Sequence, residues 1–388
     1  MNVLHIIPSM DPLAGGPSAA MVGLAEAQQH AGLVVRVLTC APPNTDRRLI
    51  DRLRDSGVLV TPLSHPGGVL SCPPEMRSAL GKQIGDCEIV HLHALWEPLQ
   101  HFAAVHARKL KKPYLFRPCG MLDPWSLAQR RLKKKLYLAL RLSRDLNGAA
   151  ALHFTTPCER DAVAPLGLAP EPLVVPNGID LAEYADLPPL GAFRRSQPQL
   201  GNDPYLLFLS RLHYKKGVDR LIRAFSESGL QNTRLVIAGT GDTSYTASLK
   251  ELARSTGVDT RVHFVGMLHG RDKLAAYRDA DLFVLLSHQE NFGNVVVESL
   301  ACGTPVLLSD QVAIGGEVAA AGIGQTVDSG DSASQWLSRV TQPGYWGDEI
   351  SERCRSYVAH SYDWKAIAAV WSRHYARLTD SNPIGGRD

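Results

Sequence analysis

The apolar residues of this chain come in short uninterrupted runs, and that constrains the fold more than any other feature. Runs such as VLHII at 3–7, YLLFL at 205–209 and LFVLL at 282–286 would present apolar side chains on both faces of an extended segment. Strands of that kind belong to parallel sheets covered by helices on either side. Six candidate strands lie at 3–7, 33–38, 89–92, 114–116, 152–155 and 173–175. A second series lies at 205–210, 235–238, 262–265, 282–286, 305–308 and 324–327. Helical patterns separate them, which predicts two Rossmann-like, doubly wound α/β sheets. With 388 residues, 45% of them hydrophobic, the chain can fill two such cores.

The composition breaks between 176 and 204, where Pro176, Pro188, Pro189, Pro198 and Pro204 alternate with Gly178, Gly191 and Gly201. The expected organisation is an N-terminal domain over 1–180, a linker over 181–204 and a second domain over 205–360. A last helix over 361–378, apolar at Ile367, Val370 and Trp371, precedes a loose tail over 379–388.

Several classes of protein are excluded. No stretch approaches the ~20 apolar residues of a membrane span. The opening MNVLHIIPSM lacks the basic start and long apolar core of a signal peptide and reads as a first strand. Seven cysteines, at 40, 72, 87, 119, 158, 302 and 354, are odd in number and never fall at CxxC spacing. A disulfide framework or zinc site is not expected, and a reducing, cytoplasmic setting is. Net charge is only +3, but 127–144 holds Arg130, Arg131, Lys133, Lys134, Lys135, Arg141 and Arg144 with no acid among them. No aromatic platform interleaves with these charges, so nucleic acid is not an expected partner.

The polar motifs sit where ligands meet open α/β sheets, just beyond the carboxyl ends of strands. After the first strand come Gly15, Gly16 and Pro17, with Ser18 opening a helix. Glycines admit close backbone approach and a helix N-terminus offers unpaired N–H groups to an anion. In the second half, FLSRLHYKKG places Arg211 past one strand and Lys216 in the same loop. A guanidinium fork and a point ammonium charge can together neutralise a diphosphate. LVIAGTGD repeats strand and turn with Gly239 and Gly241. SHQENFGNVVVESLACGTPV then sets Glu290, Phe292, Gly293 and Asn294 in a loop before a helix near 294–295 that carries Glu298. Eight positions at 100° each leave the two glutamates about 80° apart around a helix and about two turns along it. Carboxylates for hydroxyls, with helix-terminal N–H groups between them for phosphates, suit a sugar, a diphosphate and a ribose in one ligand.

These motifs resemble glycosyltransferase family 4, the retaining enzymes of the GT-B fold, whose two domains face a central cleft. The resemblance rests on VVPNGID at 174–180, SRLHYKKG at 210–217, GTGD at 239–242, the E-x7-E pair with CGTPV behind it, and LHFTTPCER at 152–160. It implies that Arg211 and Lys216 hold the donor diphosphate and that Glu290 binds the donor sugar. The N–H groups of Phe292 to Asn294 would lie near the phosphates, and Glu298 would take the ribose. Gly15 and Gly16 would let the first loop close over the diphosphate, and the last helix would pack back on the N-terminal domain. The donor would be a UDP- or GDP-sugar and the acceptor a saccharide or polyprenyl-linked saccharide of bacterial surface polysaccharide. A donor phosphate oxygen would take the acceptor proton, so catalysis would rest on charge stabilisation and positioning.

The N-terminal half has its own polar cluster. HLHALWEP places His91 and His93 at the end of a strand, expected on alternating faces, and RPCGMLDPW supplies Arg117, Asp123 and Trp125 as acceptor-side candidates. His93 is the preferred catalytic candidate there. Many relatives carry His or Arg directly before the glycine matching Gly120; this chain has Cys119, with Arg117 two places earlier. No metal or cofactor is expected. Asp279 and Asp281 form a D-x-D pattern, but it precedes a buried strand and reads as structural. Leu127, Leu132, Leu136 and Leu140 recur near helical spacing within the basic stretch. That helix is read either as peripheral contact with an anionic membrane or as a surface helix with one packed stripe. Against the transferase stand a nucleotide-sugar epimerase of the same fold and a non-catalytic nucleotide-sugar binding protein, the second expected to lack Arg211, Lys216 or Glu290.

Overall fold

The computed structural model describes residues 1–388 except 13–14, 65–66, 69–70, 329–331 and 381–388. The described chain forms two compact units: Met1–Gly178 with Trp364–Asp388, and Ile179–Asp363. The tail beyond 380 lies outside the described residues.

The first unit is built on a parallel sheet of seven strands: β1 Asn2–Ser9, β2 Val34–Cys40, β3 Leu59–Leu63, β4 Ile89–His93, β5 Tyr114–Arg117, β6 Ala151–Phe154 and β7 Glu171–Val174. Their order is β3-β2-β1-β4-β5-β6-β7. The second unit has six: β8 Tyr205–Leu209, β9 Arg234–Ala238, β10 Val262–Gly266, β11 Leu282–Leu285, β12 Val306–Ser309 and β13 Gly324–Val327, in the order β10-β9-β8-β11-β12-β13. Every pairing is parallel. In each sheet the winding reverses once, between β1 and β4 and between β8 and β11, and there the loops diverge to leave a crevice.

Twelve of the thirteen strands coincide with the apolar runs. The exception is β3, LVTPL, which sits at the sheet edge with Leu59 58% exposed and Pro62 in its interior. Proline cannot donate to a ladder and is tolerated only on an edge. A half-exposed edge strand needs no two-sided apolar run, so it carried no signal.

The stretch expected as a linker is folded into the second unit. Helical turns at Leu181–Tyr184 and Pro198–Leu200 flank a short helix, Ala192–Ser196, and Tyr184, Phe193 and Leu200 join that unit's core. The Asp279 carboxylate accepts the N–H groups of Gly191 at 2.7 Å and Phe193 at 2.8 Å, tying down the start of the helix. Asp281 accepts Tyr205 N–H at 2.8 Å. The D-x-D carboxylates are therefore spent on backbone donors.

The last helix, Trp364–Asp380, belongs to the first unit and lies along Gly16–His30. A Cβ on Gly23 would meet the Trp364 indole at 2.3 Å, so only glycine allows this approach. Trp364, Ile367, Trp371, Tyr375 and Leu378 fill the core beneath it.

Candidate functional site

The reversal in the second sheet brings the expected donor residues together. β8 and β11 are neighbours there, and their C-terminal loops carry Arg211 to Lys216 and Ser287 to Gly293. Across this gap the Lys216 ammonium donates to Glu290 Oε2. Both side chains are only 16% exposed, so the ion pair sits in a partly desolvated place. Arg211, exposed, stands at the start of the same loop. The Glu290 loop is pinned in turn by the loop after β12: Glu290 N–H donates to the Gln311 carbonyl at 2.9 Å, and Ala313 N–H to the Glu290 carbonyl at 3.0 Å.

Gly293, at φ 91, caps the helix Asn294–Ala301, whose first N–H groups open beside Glu290. Phe292 is buried against Tyr362. Further along that helix Glu298 meets different partners: Lys273 Nζ at 3.1 Å, and the hydroxyl of buried Tyr277, which donates to Oε2 at 3.1 Å. Burial works against the Lys273 charge, but the Glu298 carboxylate outweighs it and holds the ammonium above its ordinary pKa. The glutamates thus form two separate stations, one against Lys216 and one against Lys273. Lys273 and Tyr277 were not singled out from sequence, although their i, i+4 spacing on Gly270–Asp279 puts them on one face.

Gly239 has a structural reason for its place. At φ 144, a Cβ there would lie 1.9 Å from the Ser210 carbonyl oxygen, so glycine lets the loop after β9 cross against the loop after β8. An open cavity of about 580 Å³ lies behind that loop, lined by Tyr214, Asp219, Arg223, Tyr245 and His288 among others, but by none of Arg211, Lys216, Glu290 or Glu298.

In the first unit the polar cluster lies at the corresponding reversal. His91 and His93, two apart on β4, point to the same face, not to alternating ones; their rings stack at 4.4 Å. His5 of β1 completes a buried trio whose ring nitrogens lie within 4.8 Å of one another. The rings are wired in series. His153 Nε2 faces the Val175 carbonyl at 2.8 Å and must donate to it. His153 Nδ1 then accepts from His91 Nε2 at 3.2 Å, and His91 Nδ1 accepts from the Tyr375 hydroxyl at 2.8 Å. Tyr375 accepts from Gln28 Nε2 at 3.1 Å, and Gln28 Oε1 accepts from His5 Nε2 at 2.7 Å. His5 Nδ1 therefore accepts from His93 Nε2 at 2.9 Å. One carbonyl at the end of the chain so assigns every tautomer. The series ends at His93 Nδ1, a bare lone pair, buried and without a partner.

All four rings are neutral. Burial, despite the hydrogen bond to Gln28, holds His5 down to about 4. Burial first, and then the neighbouring histidines and Arg117, keep His91, His93 and His153 well below their ordinary value. Arg117 lies beside His93 in register across β4 and β5 and is 2% exposed. Its guanidinium repels a second cation, so this trio is ill suited to a metal ion.

Strain gathers at the same strand ends. Ala94, directly after β4, has φ 67, and Cys119, two residues after β5, has φ 54. Buried Glu159 ties the loop after β5 to the loop after β6, accepting Gly120 N–H at 2.7 Å and Thr155 N–H at 2.8 Å. Asp123 accepts Trp125 N–H at 2.8 Å, capping Pro124–Ala128, and Trp125 is half-buried on that turn. Gly15, at φ 101, precedes the helix Gly16–His30, and the Ser18 hydroxyl donates to the Ser9 carbonyl at 2.9 Å.

Two family models match consecutive parts of the chain: a glycosyl transferase 4-like domain over residues 15–178, and glycosyl transferases group 1 over 192–342. The chain belongs to the group 1 glycosyltransferases. The phosphatidyl-myo-inositol mannosyltransferase of Mycobacterium leprae is 27% identical over 98% of each chain. Among solved structures, the transferase is similar to sucrose-phosphate synthase from Thermosynechococcus elongatus, with a TM-score of 0.76, 20% identity and coverage of 98% and 99%. It is also similar to HepE of Anabaena, solved with UDP-glucose, at a TM-score of 0.75, 19% identity and coverage of 98% and 100%. The architecture these structures share with the transferase, two doubly wound parallel sheets in one chain, is the GT-B fold.

Proposed function

We propose that this transferase moves a hexose from a UDP- or GDP-sugar to a saccharide or lipid-linked saccharide, with retention of anomeric configuration and without a required metal. The observation that carries this reading is the Lys216–Glu290 pair beside the Asn294–Ala301 helix start at a sheet reversal, with Arg211 on the same loop as Lys216. A diphosphate entering there would take the Lys216 ammonium, the Arg211 fork and the first helix N–H groups, while Glu290 and Glu298 would turn to hydroxyls. The leaving diphosphate is where negative charge develops, and these donors would stabilise it there. HepE, solved with UDP-glucose, supports a nucleotide sugar as donor. The mannosyltransferase relative supports an acceptor that includes a lipid headgroup. Titration calorimetry with UDP- and GDP-sugars, with and without EDTA, tests the donor; binding of none of them by folded protein contradicts it.

Peripheral membrane contact is part of the proposal, with exopolysaccharide, capsule or lipopolysaccharide assembly at the cytoplasmic face of a membrane as the setting. Among the described residues no helix is long and apolar enough to cross a membrane. The segment 131–147 is helical, with a π-turn at Leu138–Leu142, and its leucine stripe is not packed: Leu132 is 83%, Leu136 62% and Leu140 71% exposed. Lysines and arginines flank this ridge, the arrangement of a helix lying in an anionic leaflet. Vesicles with anionic lipid should bind the protein and neutral ones should not; failure to bind either at low salt contradicts this part.

A further inference from the structure

Arg117 is a buried cation without a counter-ion. Among the described residues no carboxylate reaches it within ion-pair distance. Nη2 donates to Asn177 Oδ1, while Nε and Nη1, both buried, have no acceptor. Every histidine around it is neutral. An unpaired buried charge is among the costliest features a fold can keep. Beside it, across the β4–β5 register, His93 Nδ1 is a buried lone pair with no donor. Unused donors, an unbalanced positive charge and an unused acceptor stand together at the carboxyl ends of two strands whose loops are strained.

The guest that completes this set must carry negative charge, accept from the guanidinium and donate to the imidazole. Water satisfies the hydrogen bonds but leaves the charge unbalanced. A cation is repelled by Arg117. A carboxylate or sulfate at neutral pH has no proton for Nδ1. A phosphate monoester meets all three demands, because its second ionisation lies near pH 6 and one oxygen readily keeps or shares a proton.

We propose that Arg117 and His93 form a subsite for a phosphate monoester, with an anionic oxygen on Nε and Nη1 and the phosphate's remaining proton on His93 Nδ1. On the reading above that this end of the first unit receives the acceptor, the acceptor is a phosphorylated molecule: a soluble sugar phosphate or a lipid with a phosphate monoester headgroup.

The test is thermal unfolding of the full chain with the diphosphate loops saturated by UDP. Potassium phosphate, sulfate and acetate are compared at equal ionic strength. Phosphate at tenfold excess over its Kd should raise the midpoint by about 4 °C, and sulfate and acetate should not. Arg117→Met should lose this response while melting no lower than wild type, since it removes an unpaired charge; an arginine of purely structural role would melt lower on substitution. Arg117→Lys, which keeps the charge but not the fork, should retain a weakened response. Glucose 6-phosphate and vesicles of phosphatidic acid in phosphatidylcholine then separate soluble from lipid sources, and a response to either supports the proposal. Equal shifts with phosphate and sulfate, no shift with phosphate, or a full shift in Arg117→Met overturns it. So does a response confined to inorganic phosphate, which makes this an adventitious ion site only. UDP binding is measured on its own beforehand; its failure would count against the donor reading, and the same comparison without UDP would still test Arg117.

Discussion

Two paired contacts organise the chemistry at the residue scale. Lys216 with Glu290 pairs two half-buried loops, and Lys273 with Glu298 pairs two helices. If Lys216 stabilises the leaving diphosphate, Lys216→Ala should lower kcat by about 10²–10³-fold, the effect of losing one preorganised stabilising group. Its unfolding midpoint should barely move; kcat near wild type would remove Lys216 from the account. The residues proposed to bind the donor stand out in the sequence because Arg211, Lys216 and Glu290 follow strongly apolar strands and Glu298 lies eight positions beyond Glu290, within the next helix. Lys273, Tyr277, Asn177 and Glu159 do not, since each acts through a partner far away in the chain. Glu159, for example, is recognisable only once Gly120, 39 residues earlier, is beside it. The expectation of alternating faces for His91 and His93 fails because residues two apart on a strand share one face.

At the element scale the C-terminal helix is held to the first sheet by polar wiring as well as by packing. Tyr375→Phe removes the acceptor of Gln28 Nε2 and the donor to His91 Nδ1. It should cost about 2 kcal/mol, read as a lower urea midpoint with unchanged m-value; an unshifted midpoint would mean the wiring contributes nothing net. The neutral histidine layer makes stability depend on pH. Each ring stays neutral when folded, yet takes a proton near 6.5 when unfolded. The unfolded chain therefore binds more protons below 6.5. Stability should be flat with respect to these groups above that value and fall as pH drops from about 6.5 towards 4, by up to about 1.4 kcal/mol per pH unit for each histidine. Urea melts at pH 7.5, 6 and 5 measure the slope; Gln28, Tyr375, Arg117 and His374 also face the layer. The exposed leucine ridge makes a separable prediction: Leu132→Ser, Leu136→Ser and Leu140→Ser together should abolish anionic vesicle binding without lowering the melting midpoint.

Across the whole molecule, the chain passes between its two units twice, at 178/179 and at 363/364. Apolar runs made both sheets and their parallel sense readable, because two-sided burial leaves no other arrangement. The proline-rich stretch misled because punctuation in a sequence marks where regular structure stops, not where a compact unit ends. Its Phe193 and Leu200 are core residues of the second unit, and Phe193 is held there by Asp279, 86 residues away in the chain. The central claim, that the loops after β8 and β11 bind the diphosphate of a sugar donor, is tested most directly by calorimetric titration with UDP- and GDP-sugars in EDTA. The account predicts that at least one donor binds the wild type and that Arg211→Ala and Lys216→Ala each weaken it about tenfold or more. Binding that is unchanged in both variants, or absent from folded wild-type protein for every donor tried, would contradict it.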